Sequence, residues 1–133
     1  DAGDKTVGMG ISLPHEQKLN AYITPELAFE FHYFFIRKYW LFYTAKALVV
    51  FPGGFGTMDE LFEILTLVQT KKAEKYIPVV LYGREYWEKL FNFQLLVELG
   101  LIAEEDLDLF KICDTVQEAE RYIVEQMMRY YVK

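Results

Sequence analysis

Apolar and polar positions change their spacing several times along the chain, and each change predicts an element. Thr6-Val7-Gly8-Met9-Gly10-Ile11-Ser12 reads as a short buried strand weakened by its glycines. Residues 13–24 form a polar loop containing Pro14, His15, Glu16, Gln17 and Asn20. Thr24-Pro25-Glu26 carries the marks of a helix start: a capping hydroxyl, a proline for the first helical position and an acid for the first turn. The helix is expected to run to about residue 43. Its aromatics, Phe29, Phe31, Tyr33, Phe34, Phe35, Tyr39, Trp40, Phe42 and Tyr43, leave it apolar nearly all round. Such a helix is expected to be buried on more than one side.

Ala47-Leu48-Val49-Val50-Phe51 is a continuous apolar run, the pattern of a central parallel strand covered on both faces. A glycine-rich turn follows, then a helix over about 57–72 with Leu61, Ile64, Leu65 and Val68 as its apolar stripe. Residues 77–82 predict another strand, and residues 85–99 a helix closed by a left-handed cap at Gly100. A last short strand is expected over 107–112 and an amphipathic helix over 115–131. This alternation predicts one α/β domain over residues 1–133, a Rossmann-like parallel sheet with helices on both faces.

Composition sharpens the picture. Of the 133 residues, 53% are hydrophobic and 17% aromatic, ample for a core and unlike a disordered chain. The net charge of −6 argues against binding nucleic acid, whose backbone needs a basic surface. It leaves room for a small phosphorylated ligand at a local positive site. Cys113 is the single cysteine, so internal disulfides and cysteine zinc cages are excluded; a lone thiol in an apolar strand reads as core. No apolar run is long enough to span a membrane and no secretory signal is visible, so a soluble cytoplasmic protein is expected. His32 is expected to pack within its helix and His15 to lie solvated in its loop. Neither has a paired metal-ligand spacing, so no metal is expected.

The chemistry concentrates in Pro52-Gly53-Gly54-Phe55-Gly56-Thr57-Met58-Asp59-Glu60, between a strand and a helix. Ligands of such sheets bind beyond the strands' carboxyl ends. Gly53, Gly54 and Gly56 let backbone N–H groups approach an anion, the helix start adds partial positive charge, and Thr57 adds a hydroxyl. The pattern is neither a Walker loop nor the usual dinucleotide fingerprint. Asp59 and Glu60 fit a first helical turn, and Glu60 also fits a capping box with Thr57. The functional alternative for Glu60 starts from the fact that carboxylates repel phosphate. A site holding both suits a ligand anionic at one end that gains positive charge at the other. Cleavage of an N-glycosidic bond does this, since the ribose becomes oxocarbenium-like while its 5′-phosphate stays anchored. Upstream, the aromatic surroundings of Arg37 favour a held guanidinium able to bind phosphate bidentately, whereas Lys38 reads as snorkelling to solvent.

The nine-residue run resembles the Pro-Gly-Gly-x-Gly-Thr-x-x-Glu motif of the Lonely Guy family, and Arg37-Lys38 precedes it at the family's usual interval. Leu13-Pro14-His15-Glu16-Gln17, Tyr22-Ile23-Thr24 and Pro78-Val79-Val80-Leu81 with Trp87 are similar to the family's longer-chain branch. The resemblance implies a Rossmann-like fold and phosphoribohydrolase activity on cytokinin-type or AMP-like nucleoside 5′-monophosphates, without metal or redox cofactor. It implies Arg37 and Glu60 as the catalytic pair, with Gly53, Gly54, Gly56, Thr57 and Lys38 on the phosphate. It also implies a homodimer or larger homo-oligomer. Relatives begin with a further strand and glycine-rich turn, so this chain is expected to be the C-terminal portion of a longer domain, its pocket incomplete by itself. The label "lysine decarboxylase" attached to such proteins lacks a marked pyridoxal phosphate lysine here. Two other readings stand beside the enzyme: a non-catalytic nucleotide-binding or carrier protein, and a scaffold with a vestigial loop.

Overall fold

The computed structural model describes residues 3–12, 20–72 and 75–132. The chain forms two compact units, Asp1–Thr44 and Ala45–Lys133, each described by itself. It is an α/β protein with parallel sheets flanked by helices, as the alternation of periods predicts, and the strands pair as two sheets. The 13–17 segment lies outside the described residues.

In the first unit, β1 (Gly8–Ile11) pairs in parallel with β2 (Ala28–Phe31), with Gly8 opposite Ala28 and Ile11 opposite Phe31. The expected long helix from Pro25 is therefore corrected. Thr24 and Pro25 start only a 3-10 turn, Pro25–Leu27. The Thr24 hydroxyl accepts the Thr6 N–H at 3.0 Å instead of capping the turn. Ala28-Phe29-Glu30-Phe31 alternates, and the ladder offered by β1 outweighs the local start signal. Helix α1 (Phe34–Thr44) holds the rest. It has no fully buried residue, and Phe34, Phe35, Tyr39, Trp40 and Tyr43 are exposed, contrary to the expected burial on more than one side. His32 is exposed in the bend before α1, not packed in a helix.

In the second unit, β3 (Leu48–Val50), β4 (Val79–Tyr82) and β5 (Phe110–Cys113) form a parallel sheet in that order. Val79, Val80 and Leu81 are fully buried, as their unbroken apolar run requires of a central strand. Between β3 and β4 runs α2 (Phe55–Gln69); between β4 and β5 come α3 (Arg84–Leu90) and α4 (Phe93–Glu98). The order advances in one direction, so right-handed crossovers put these helices on one face. A row of rings bears this out: Phe62 of α2 meets Phe91 at 5.1 Å, Phe91 meets Phe93 at 5.5 Å, and Phe93 meets Phe110 of β5 at 4.6 Å. The opposite face carries α5 (Val116–Tyr131), whose Ala119 and Tyr122 pack on Val80 and Cys113. Burial pushes the Cys113 thiol above its ordinary range, so the cysteine is a core residue rather than a nucleophile.

Two further expectations change at element ends. The single helix over 85–99 is two, because the Asn92 side chain accepts the Leu95 N–H at 3.1 Å and caps a new start after extended Phe91. Its far end matches the expectation: Gly100, at φ +67°, donates to the Val97 carbonyl while Leu101 donates to that of Leu96, a Schellman closure. The strand expected over 107–112 begins only at Phe110. Residues Glu104–Leu109 curl into a 3-10 turn, where the Asp106 carboxylate accepts the Ala103 N–H at 2.9 Å.

Candidate functional site

The glycine motif lies at the carboxyl end of β3, where the topology predicts a ligand site. Helix α2 starts two residues earlier than expected. Its N-cap is Gly54, with φ −92° and ψ −154°, and no side chain caps it. The first bond of its ladder runs from the Met58 N–H to the Gly54 carbonyl at 3.1 Å. The N–H groups of Phe55, Gly56 and Thr57 therefore stand ahead of the ladder, at the positive end of a 15-residue helix. Helix α2 has no acidic residue in its first turn, so nothing there opposes an anion.

This start corrects two readings. Asp59 and Glu60 lie beyond the first turn, and Thr57-Met58-Asp59-Glu60 is not a capping box, since all four residues are inside the helix. Glu60 follows Thr57 by three residues, so the two share one face of α2. Both are half-buried, while Asp59 is exposed.

The loop has little slack. A Cβ on Gly53 would collide with the Thr57 side chain, lying 2.9 Å from its Cβ, so only glycine lets the threonine fold back over the loop. The structure thus brings Gly53 and Thr57 together. Gly54 and Gly56 are open, with nothing within 4 Å of an added Cβ. Phe55 points to solvent, 96% exposed.

Arg37 and Lys38 are half-buried in α1 of the first unit. The Arg37 guanidinium carbon sits 5.4 Å from the centre of the Phe34 ring, a cation–π contact that holds it as the aromatic surroundings suggested. Lys38 is only partly exposed, less than full snorkelling implies. His15 lies outside the described residues.

Residues 1–123 match the family described as "Possible lysine decarboxylase". The chain belongs to this family, the Lonely Guy family. One similar curated protein is the cytokinin riboside 5′-monophosphate phosphoribohydrolase LOG of Oryza sativa subsp. japonica. It is 28% identical over 88 residues, which cover 66% of this chain and 36% of that protein. The match therefore spans about a third of the relative's length.

Sequence reasoning missed the second half of this family member's loop support. The Tyr86 hydroxyl donates to the Gly53 carbonyl at 2.5 Å, from α3 to the glycine loop. Gly83, at φ +97°, lies under Pro52, with 3.5 Å between an added Cβ and the proline ring. The signal available was the Gly83-Arg84-Glu85-Tyr86 run directly after an apolar strand, the same strand-to-helix position that made the glycine motif stand out. Among the described residues, no three His, Cys, Asp or Glu side chains gather as a metal cage, and no helix is long and apolar enough to cross a membrane.

Proposed function

We propose that the protein acts as a nucleoside 5′-monophosphate phosphoribohydrolase on cytokinin-type or AMP-like nucleotides. Water adds to C1′ of the ribose, the N-glycosidic bond breaks, and the base leaves with a proton, giving free base and ribose 5-phosphate. The observation that carries the reading is the start of α2 at Gly54: backbone N–H groups for a phosphate, followed one turn on by the Glu60 carboxylate. In this reading Gly53, Gly54, Gly56 and Thr57 hold the 5′-phosphate, joined by Lys38. Glu60 stabilises the oxocarbenium-like ribose or activates the water. Arg37, held over Phe34, completes the catalytic pair. Family membership and the rice relative's activity support the assignment. The exposed aromatics of α1 support assembly with further copies of the chain, which sedimentation would read directly.

The decarboxylase description finds less support. Lys75 has a depressed pKa, from desolvation first and Lys46 second, but its ammonium donates to the Ala45 carbonyl, at the strands' amino ends. The glycine loop lies at their carboxyl ends.

The test is release of ribose 5-phosphate from AMP and from N6-isopentenyl AMP, with Glu60→Gln as control. Release that the variant abolishes establishes the hydrolase. Saturable nucleotide binding without release would make the protein a carrier instead.

A further inference from the structure

Glycine loops bind anions only if their peptides face the right way. The Gly53–Gly54 peptide has no side chain on either flank, so it is the most easily flipped link of the motif. In a planar trans peptide the carbonyl and the following N–H point to opposite edges. Whatever fixes the Gly53 carbonyl therefore also aims the Gly54 N–H. A flip would turn the carbonyl oxygen where the N–H had been, replacing attraction for an anion by repulsion.

One side chain holds that carbonyl. The Tyr86 hydroxyl donates to it at 2.5 Å, and Tyr86 stands on a firmly anchored base. At the start of α3, the Gly83 N–H donates to the Cys113 carbonyl at 2.8 Å, and the Arg84 N–H to the Asp114 carboxylate at 2.8 Å. The Arg84 side chain returns to Asp114 at 3.2 Å and to the Ile112 carbonyl at 3.2 Å. The next residue, Trp87, is fully buried, its indole N–H bonded to the Tyr82 carbonyl at 3.0 Å and its ring edge-on to Tyr86. The ends of β4 and β5 thus fix α3, and α3 fixes the glycine loop after β3.

We propose that Tyr86 is a positioning residue that locks the Gly53–Gly54 peptide with the Gly54 N–H available to the substrate's phosphate. The role rests on the nucleotide reading above, but the lock itself exists without ligand and is measurable alone. In this role Tyr86 acts through the loop backbone, by its bond to the Gly53 carbonyl.

The experiment compares the full chain with Tyr86→Phe, which keeps the ring and removes only the hydroxyl. Three quantities are read: the Gly53 carbonyl carbon shift by NMR without ligand, the affinity for AMP, and the affinity for adenosine. The lock predicts a moved Gly53 carbonyl shift and AMP binding weakened about five- to tenfold, the weight of one hydrogen bond, with adenosine affinity unaltered. Asp114→Asn, which loosens the Arg84 anchor, should weaken AMP in the same direction but less, and serves if Tyr86→Phe folds poorly. An unmoved carbonyl shift overturns the lock. A moved shift with unaltered AMP affinity, or equal losses for AMP and adenosine, overturns the positioning role. If the unmodified chain binds no AMP while the shift still moves, the lock stands and the nucleotide reading fails with the role built on it.

Discussion

The chain contains the pattern Thr-x-x-Glu twice at the start of a helix, and the two copies do different work. Thr115-Val116-Gln117-Glu118 is a complete capping box. The Thr115 hydroxyl accepts the Glu118 N–H at 3.2 Å, and the Glu118 carboxylate accepts the N–H groups of Asp114 and Thr115 at 3.0 and 3.4 Å. Thr57-Met58-Asp59-Glu60 has the same pattern but is not a capping box, because α2 has already begun at Gly54. The difference comes from what precedes each threonine. Asp114 leads extended backbone into Thr115, at φ −121° and ψ 152°, the conformation of an N-cap. Gly53-Gly54 instead lets the chain turn into the helix earlier, so Thr57 and Glu60 fall one turn inside. One pattern stabilises the fold; the other places a hydroxyl and a carboxylate within the first turns of α2, next to the N–H groups that precede its ladder.

Exchanging the chemistry of the two glutamates tests this contrast most severely. Glu60→Gln should lower base release by roughly a thousandfold, within the usual range for a lost acid–base group, and leave phosphate affinity largely intact. Glu118→Gln should leave turnover unchanged and lower the melting temperature. Comparable turnover in the Glu60 variant and the parent would remove the role assigned to that residue.

Next in size is Gly53→Ala. The added methyl must displace Thr57 or the loop, and misplacing a binding loop by about 1 Å costs on the order of a hundredfold in kcat/KM. The same change at Gly54, where an added Cβ meets nothing, should be milder. Steady-state kinetics on both variants would decide.

The threonines separate stability from binding. Thr115→Ala should cost about 1 kcal/mol of stability, the ordinary value of a lost N-cap, in denaturant unfolding. Thr57→Ala removes no cap and should cost less stability, yet weaken nucleotide binding. A larger stability loss at Thr57 than at Thr115 would reverse the comparison.

The smallest effect is in pH. Backbone hydrogen bonds from Asp114 first, then Thr115, hold the Glu118 carboxyl below the usual glutamate range. A folded pKa below the unfolded one gives stability that is present above the ordinary glutamate pKa and fades as pH falls through the lowered value. The stability gap between the parent and Glu118→Gln should therefore be open at neutral pH and close in acid. A gap that does not vary with pH would show the carboxylate charge to be irrelevant to the cap.

Much of the fold was legible in the residues because it follows from local pattern. The apolar runs became β3, β4 and the last strand, Gly100 took its left-handed cap, and Thr115 opened α5. The misreadings arose where one local signal met a stronger one, from a distant strand in one case and from a near neighbour in the others. Pro25 looked like the start of a long helix until Ala28–Phe31 found β1 as a pairing strand. Asn92 looked like an ordinary helix residue until it capped a second helix. Thr57 and Glu60 looked like a cap until Gly54 took that position.

The sequence by itself determined the alternation of strand and helix, the family, and the place of the glycine motif after an apolar strand, since these depend on spacing along the chain. Only the tertiary structure decided that Tyr86 reaches the Gly53 carbonyl from a residue 33 positions away. It also decided that the aromatics of α1 remain exposed. These depend on which backbone groups and faces meet across space, and spacing along one chain does not encode those distances.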